Sequence, residues 1–73
     1  MLDAKKVGYV IKVCREKRGL SQEVVSGLAD IGRTHLSAIE RGERKPTLET
    51  FFKISDAMDI KPSVLIKKIE ELI

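Results

Sequence analysis

What most constrains this chain is its punctuation. Its apolar residues come in five short stripes, each bounded by residues that start or end helices. Val7, Val10, Ile11 and Cys14 stand at i, i+3, i+4 and i+7, the spacing of one helix face, with Asp3 placed to cap the start and Gly19 to end it. Ser21 caps a second, two-turn segment whose buried side is Val25 and Leu28, and Ala29-Asp30-Ile31-Gly32 breaks it. A third segment runs from Arg33 to Arg41, where Gly42 stops it. Thr47 caps a fourth carrying Leu48, Phe51, Phe52, Ile54 and Met58, with Glu49 favourable beside its N-terminal dipole. Pro62 suits the first turn of a fifth, whose apolar residues are Leu65, Ile66, Ile69, Leu72 and Ile73. No stretch alternates as a strand would. Isolated helices shorter than about 12–15 residues are marginal in water, so these segments must hold one another. The expected fold is all-α: a compact five-helix bundle around one shared core.

At 73 residues the chain is expected to be one small domain, 1–73, with helix 2 at about 21–28, a third helix at about 33–41 and a C-terminal helix at about 62–72. A chain of this size buries only about 60% of its unfolded surface, and such domains often add a disulfide, a metal or a partner subunit. Cys14 is the only cysteine, so no internal disulfide forms, and it reads as a small buried hydrophobe. One Cys and one His (His35) make no ligand cluster, so neither a metal nor a cofactor is expected. The same two residues, on different segments without an acid partner, offer no nucleophile–base pair, and an enzyme is not expected. A partner subunit remains. No apolar run reaches the roughly 18 residues of a membrane span. Lys12 interrupts the N-terminal apolar stretch and no small-residue cleavage site follows it. A cytoplasmic protein is expected, with no membrane partner and no small-molecule ligand.

Positive charge gathers early in the chain. Residues 5 to 18 carry Lys5, Lys6, Lys12, Arg15, Lys17 and Arg18 against Glu16 alone, whereas acids outnumber bases from residue 46 onward. That asymmetry fits a chain that meets a polyanion with its first two-thirds. The third segment, IGRTHLSAIERGER, sharpens the point. Ile31, Leu36 and Ile39 are its only large apolar residues, so a narrow stripe is buried. Thr34, Ala38 and Arg41 fall on the opposite side, flanked by Arg33, His35 and Ser37. A merely solvated helix face would more often carry Glu–Lys pairs. Small polar groups and arginine near a helix N-terminus suit the edges of bases: Arg pairs with guanine, and Thr bonds an edge or touches a thymine methyl. A helix–turn–helix sets the N-terminal part of its second helix into the major groove in this way.

The ordered elements Gly19-Leu20-Ser21-Gln22, Leu36-Ser37-x-Ile39-Glu40-Arg41-Gly42 and Pro46-Thr47-Leu48-Glu49-Thr50 resemble the lambda-repressor/Cro-like helix–turn–helix of the XRE family of bacterial transcriptional regulators. The resemblance covers residues 7 to about 66. The wording Arg-Thr-His-Leu-Ser-x-Ile-Glu-Arg-Gly and the short length further resemble the controller proteins of restriction–modification systems. The family implies a DNA-binding homodimer with the last helix, and the loop before it, near the two-fold axis. It implies base contacts at Arg33, Thr34, Ser37 and Ala38, and phosphate contacts at Gln22, Arg41, Arg44 and Lys45. It implies a structural ion pair between Arg15 and Glu40. The tail Ile69, Leu72 and Ile73 is apolar beyond what one small core can cover, and Leu65, Ile66, Ile69, Leu72 and Ile73 are expected to form the dimer interface.

Some positions depart from the family pattern. Asp30 and Asp59 stand where glycine is usual, and Asp tolerates the left-handed conformation better than most residues. Gly32 and Lys61 stand where capping side chains are common. Ala38 cannot hydrogen-bond a base and offers at most a methyl contact. The competing reading is an antitoxin-like module that neutralises a partner protein through its apolar tail, with DNA binding secondary.

Overall fold

The computed structural model describes residues 2–72. Among them are five α-helices and no strand: α1 (Ala4–Lys17), α2 (Gln22–Ala29), α3 (Arg33–Glu40), α4 (Leu48–Ala57) and α5 (Pro62–Glu71). Three of the five begin on a side-chain cap that satisfies an amide the helix cannot. The Asp3 carboxylate accepts from Lys5 N at 2.8 Å, Ser21 Oγ from Val24 N at 3.1 Å, and Thr47 Oγ1 from Thr50 N at 3.1 Å. Gly32 and Lys61 give α3 and α5 no such bond, although Pro62 presets the first turn of α5. The uncapped start of α3 matters later, because its first amides stay free to meet a ligand.

The turn between α2 and α3 is closed by backbone geometry. Asp30 adopts the left-handed conformation (φ 55°), and Ile31 N then donates to Ser26 O at 3.0 Å. Asp59 repeats the device at φ 56° after α4. There Ile60 N donates to Ser55 O at 3.0 Å, and the buried Ser55 hydroxyl returns a bond to the Ile60 carbonyl. Both Asp residues do what the family pattern gives to glycine.

One core holds the bundle. α1 supplies Val7, Val10, Ile11 and Cys14; α2 supplies Val25 and Ala29; α3 supplies Leu36 and Ile39. Phe51, Ile54 and Met58 come from α4 and its end, and Leu65 and Ile69 from α5. Each fully buried Val, Leu or Ile contributes about 1.5–3 kcal/mol relative to exposure. α1 lies against α3 and α5, α2 against α3 and α4, and α4 against α5. The tightest seat among the glycines is Gly8, where an added Cβ would stand 2.2 Å from the Ile39 carbonyl oxygen. Only a residue without a side chain lets α1 cross α3 this tightly.

Two expectations about burial need correcting. Leu28, expected inside, is 67% exposed, and Ala29 takes the buried position instead. A two-turn helix with two adjacent apolar pairs, Val24-Val25 and Leu28-Ala29, does not fix its own rotation; packing against α3 and α4 does. Within the expected interface, Leu65 (0% exposed) and Ile69 (3%) belong to the protomer's own core, which removes them from any surface. They stand one turn apart and face α1 and α4, whereas Ile66 (42%) and Leu72 (44%) face outward. Leu72 moreover lines a groove with Tyr9, Val13 and Val64 between α1 and α5, away from Ile66. Ile73 lies outside the described residues.

Candidate nucleic-acid interface

The presentation of α3 is built from below. Leu36 and Ile39 are buried, and Gly8 seats the helix's C-terminal turn on α1. The opposite flank is left outside: Arg33, Thr34 and Arg41 are exposed, and His35, Ser37 and Ala38 half-buried. Gln22, Arg33, Thr34 and Ser37 together line a small polar cleft between the start of α2 and the start of α3. Arg44 and Lys45 are exposed in the loop after α3. Gly42, at φ 76°, would place a Cβ 2.8 Å from Lys5 Cα, so the N-terminal turn of α1 abuts that loop and Lys5 joins its cations.

A buried ionic network fixes the two helices to each other and to α1. Arg15 Nε donates to Glu40 Oε2 at 2.7 Å and Arg15 Nη2 to Glu40 Oε1 at 3.0 Å, the paired grip that arginine makes best on a carboxylate. Arg15 Nη1 donates to the Leu20 carbonyl at 2.8 Å, tying in the loop before α2. Gln22 Nε2 donates to Glu40 Oε1 at 3.0 Å. The hydrogen bonds that Arg15 donates to Glu40 raise its pKa above the ordinary value despite the opposing effect of burial. Among the described residues every buried side-chain polar atom has a partner. Gln22 is a half-buried strut whose amide nitrogen gives one hydrogen to Glu40 and keeps a second to donate, a role its spacing in the sequence does not reveal.

Arg41 is not a free cation. Its Nε and Nη2 donate to the two carboxylate oxygens of Glu43 at 2.9 and 3.0 Å, and Nη1 donates to Ser37 Oγ. Those bonds hold the Glu43 carboxyl below the usual carboxylate range and the guanidinium above its own. Helical periodicity could not have found this pair, because Glu43 lies beyond the left-handed turn at Gly42. Nor did charge counting place Lys5 beside the loop.

Five packed helices, with the second and third joined by a three-residue turn and the third presenting an uncapped, cationic start, define a helix–turn–helix protein. The chain belongs to that family: the family model described as Helix-turn-helix matches residues 11–65. Control protein C.MunI of Mycoplasma sp is 40% identical over 60 residues, covering 82% of this chain and 81% of that protein. An HTH-type transcriptional regulator of Sinorhizobium fredii, y4dJ, is 31% identical over 67 residues, covering 92% and 87% respectively. Among solved structures, the restriction–modification controller protein C.AhdI of Aeromonas hydrophila superposes with a TM-score of 0.84 at 34% identity, over 89% of this chain and 98% of that one.

Proposed function

We propose that this chain is a sequence-specific DNA-binding transcriptional regulator of the controller type, acting as a homodimer on a near-palindromic duplex. The observation that carries the reading is the outward, polar N-terminal flank of α3, with Arg33 and Thr34 exposed beside Gln22 and Ser37. The membership in the helix–turn–helix family and the likeness to controller proteins support it. Arg33 reads a base edge by paired bonds, Thr34 and Ser37 bond or touch a neighbouring base, and Ala38 presents a methyl. Gln22, Arg41, Arg44 and Lys45 hold phosphates, aided by the free amides at the start of α3. If six to eight phosphates are neutralised per dimer, log affinity falls with log salt at a slope of roughly −5 to −7. A flat salt response in a fluorescence-anisotropy titration would contradict the mechanism.

Two substitutions separate reading from gripping. Arg33→Ala costs about 1–3 kcal/mol on the preferred duplex and little on random DNA, whereas Lys45→Ala weakens both alike and reduces the salt slope by about one unit. Equal losses on preferred and random DNA for Arg33→Ala would remove that residue from the reading set.

The dimer uses the α4–α5 face. Leu48 and Ile66 line one apolar depression, and Phe52 stands exposed one turn beyond Leu48. An exposed apolar patch of this kind is what a second copy covers. The protomer measures 29 × 22 × 20 Å, so two copies in contact can set their α3 helices about 34 Å apart, the spacing of successive major grooves on one side of DNA. Ile66→Asp leaves the core intact and is expected to convert the dimer to monomer, read as mass by sedimentation equilibrium. Unchanged mass would exclude this face.

A further inference from the structure

The pair at the end of α3 competes with the function assigned to that helix. Arg41 and Glu43 side chains are 53% and 59% exposed, so folding does not require them to meet, and exposed pairs add little to stability. The backbone nevertheless brings them together. Gly42 turns left-handed, Glu43 N donates to Ala38 O at 3.0 Å, and the Glu43 side chain comes alongside the last turn of α3. There its carboxylate takes the Nε–Nη2 edge of Arg41 with two bonds, while Nη1 lies on Ser37. That edge is one of the two by which arginine grips a phosphate or the O6/N7 edge of guanine. It cannot serve two acceptors at once. The same bonds hold the Glu43 carboxyl below the usual carboxylate range, so the carboxylate that takes this edge is ionised at neutral pH.

We propose that Glu43 is an intramolecular competitor for DNA: it occupies the Nε–Nη2 edge of Arg41 in the free protein and must be displaced before Arg41 engages the duplex through that edge. This rests on the reading of α3 as the DNA-facing helix. A random site that offers Arg41 no well-aligned acceptor leaves the pair closed and is bound without that contact. A preferred site opens it. Glu43 thereby sets a threshold on how good an acceptor must be, and acts on specificity through Arg41 as a positioning residue.

The test compares Glu43→Gln in two backgrounds, using a duplex selected from a random pool and an unselected duplex of the same length. In the otherwise native chain, affinity for both duplexes is expected to rise about two- to fivefold, the span measured for exposed pairs. The larger gain falls on the selected duplex, where the pair must open; on the unselected duplex the gain is only the poorer contact that Arg41 can then make. In an Arg41→Ala background the same substitution should change affinity by less than half as much. An equal gain in both backgrounds would mean a general charge effect and overturn the proposal, as would no gain in the native background. A second readout needs no DNA. The Arg41 Nε–H resonance should be protected from exchange in the free protein and lose protection in Glu43→Gln; an unprotected signal in the native chain overturns the pair itself. Failure of the native protein to bind either duplex, with that protection intact, would contradict the DNA-binding reading instead.

Discussion

Glu40→Ala is expected to cost about 3–5 kcal/mol of folding stability, the loss that follows when a buried ion pair is left with one partner. The Glu40 side chain is 2% exposed and accepts three hydrogen bonds, two from Arg15 and one from Gln22. Without it the Arg15 guanidinium stays enclosed, with only the Leu20 carbonyl bonded to it and the charge of Glu16 nearby. A small domain holds about 5–15 kcal/mol in total, so much of the variant population would unfold. Urea unfolding followed by circular dichroism measures the loss directly. The double variant with Arg15→Ala should lose less than the sum of the two single changes, because the second removal no longer strands a charge. A loss below about 1 kcal/mol for Glu40→Ala would mean that water reaches the pair and that the α1–α3 junction is held by apolar contact alone. The DNA-facing consequence runs through Gln22, which loses the acceptor that holds it at the cleft.

The second large effect is expected at Gly8. Alanine within a helix ordinarily gains about 0.5–1 kcal/mol over glycine. Here the added Cβ would stand 2.2 Å from the Ile39 carbonyl oxygen and 2.7 Å from that of Glu40. Both are backbone atoms, so relief requires moving α1 off α3 rather than rotating a side chain. Overpacking of this kind costs about 1–3 kcal/mol and is expected to exceed the propensity gain, for a net loss of about 1 kcal/mol. Gly27, on α2, provides the control within the same molecule, since a Cβ there meets nothing within 4 Å. Gly27→Ala is expected to stabilise by about 0.5–1 kcal/mol. Thermal unfolding of the two variants should therefore shift in opposite directions. Equal shifts would show that the close crossing of α1 and α3 carries no energetic weight.

The parts of this fold that were legible beforehand are those decided locally. Asp3, Ser21 and Thr47 stand before their stripes and each accepts the amide bond its position implies. The outward flank of α3 was legible because only Leu36 and Ile39 among its residues are large and apolar, leaving one way to bury it. What stayed hidden was decided by neighbours far along the chain. Rotation of α2 depends on α3 and α4, which is why Leu28 and Ala29 exchange their expected places. The apolar residues of α5 point three ways: Leu65 and Ile69 into the core, Ile66 toward the α4 face and Leu72 toward α1. Composition could count them but not divide them. Glu43 illustrates a third case, where a turn geometry brings together two charges that helical spacing never pairs.

The proposed function requires the start of α3 to enter the major groove and read bases there. Guanine N7 lies in that groove, so the direct measurement is dimethyl sulfate protection on a duplex selected by the protein from a random pool. The account predicts protected N7 atoms in two patches about one helical turn apart on one side of the DNA, with one protected guanine in each patch lost in Arg33→Ala. Guanines that remain fully reactive while the protein is bound would contradict it.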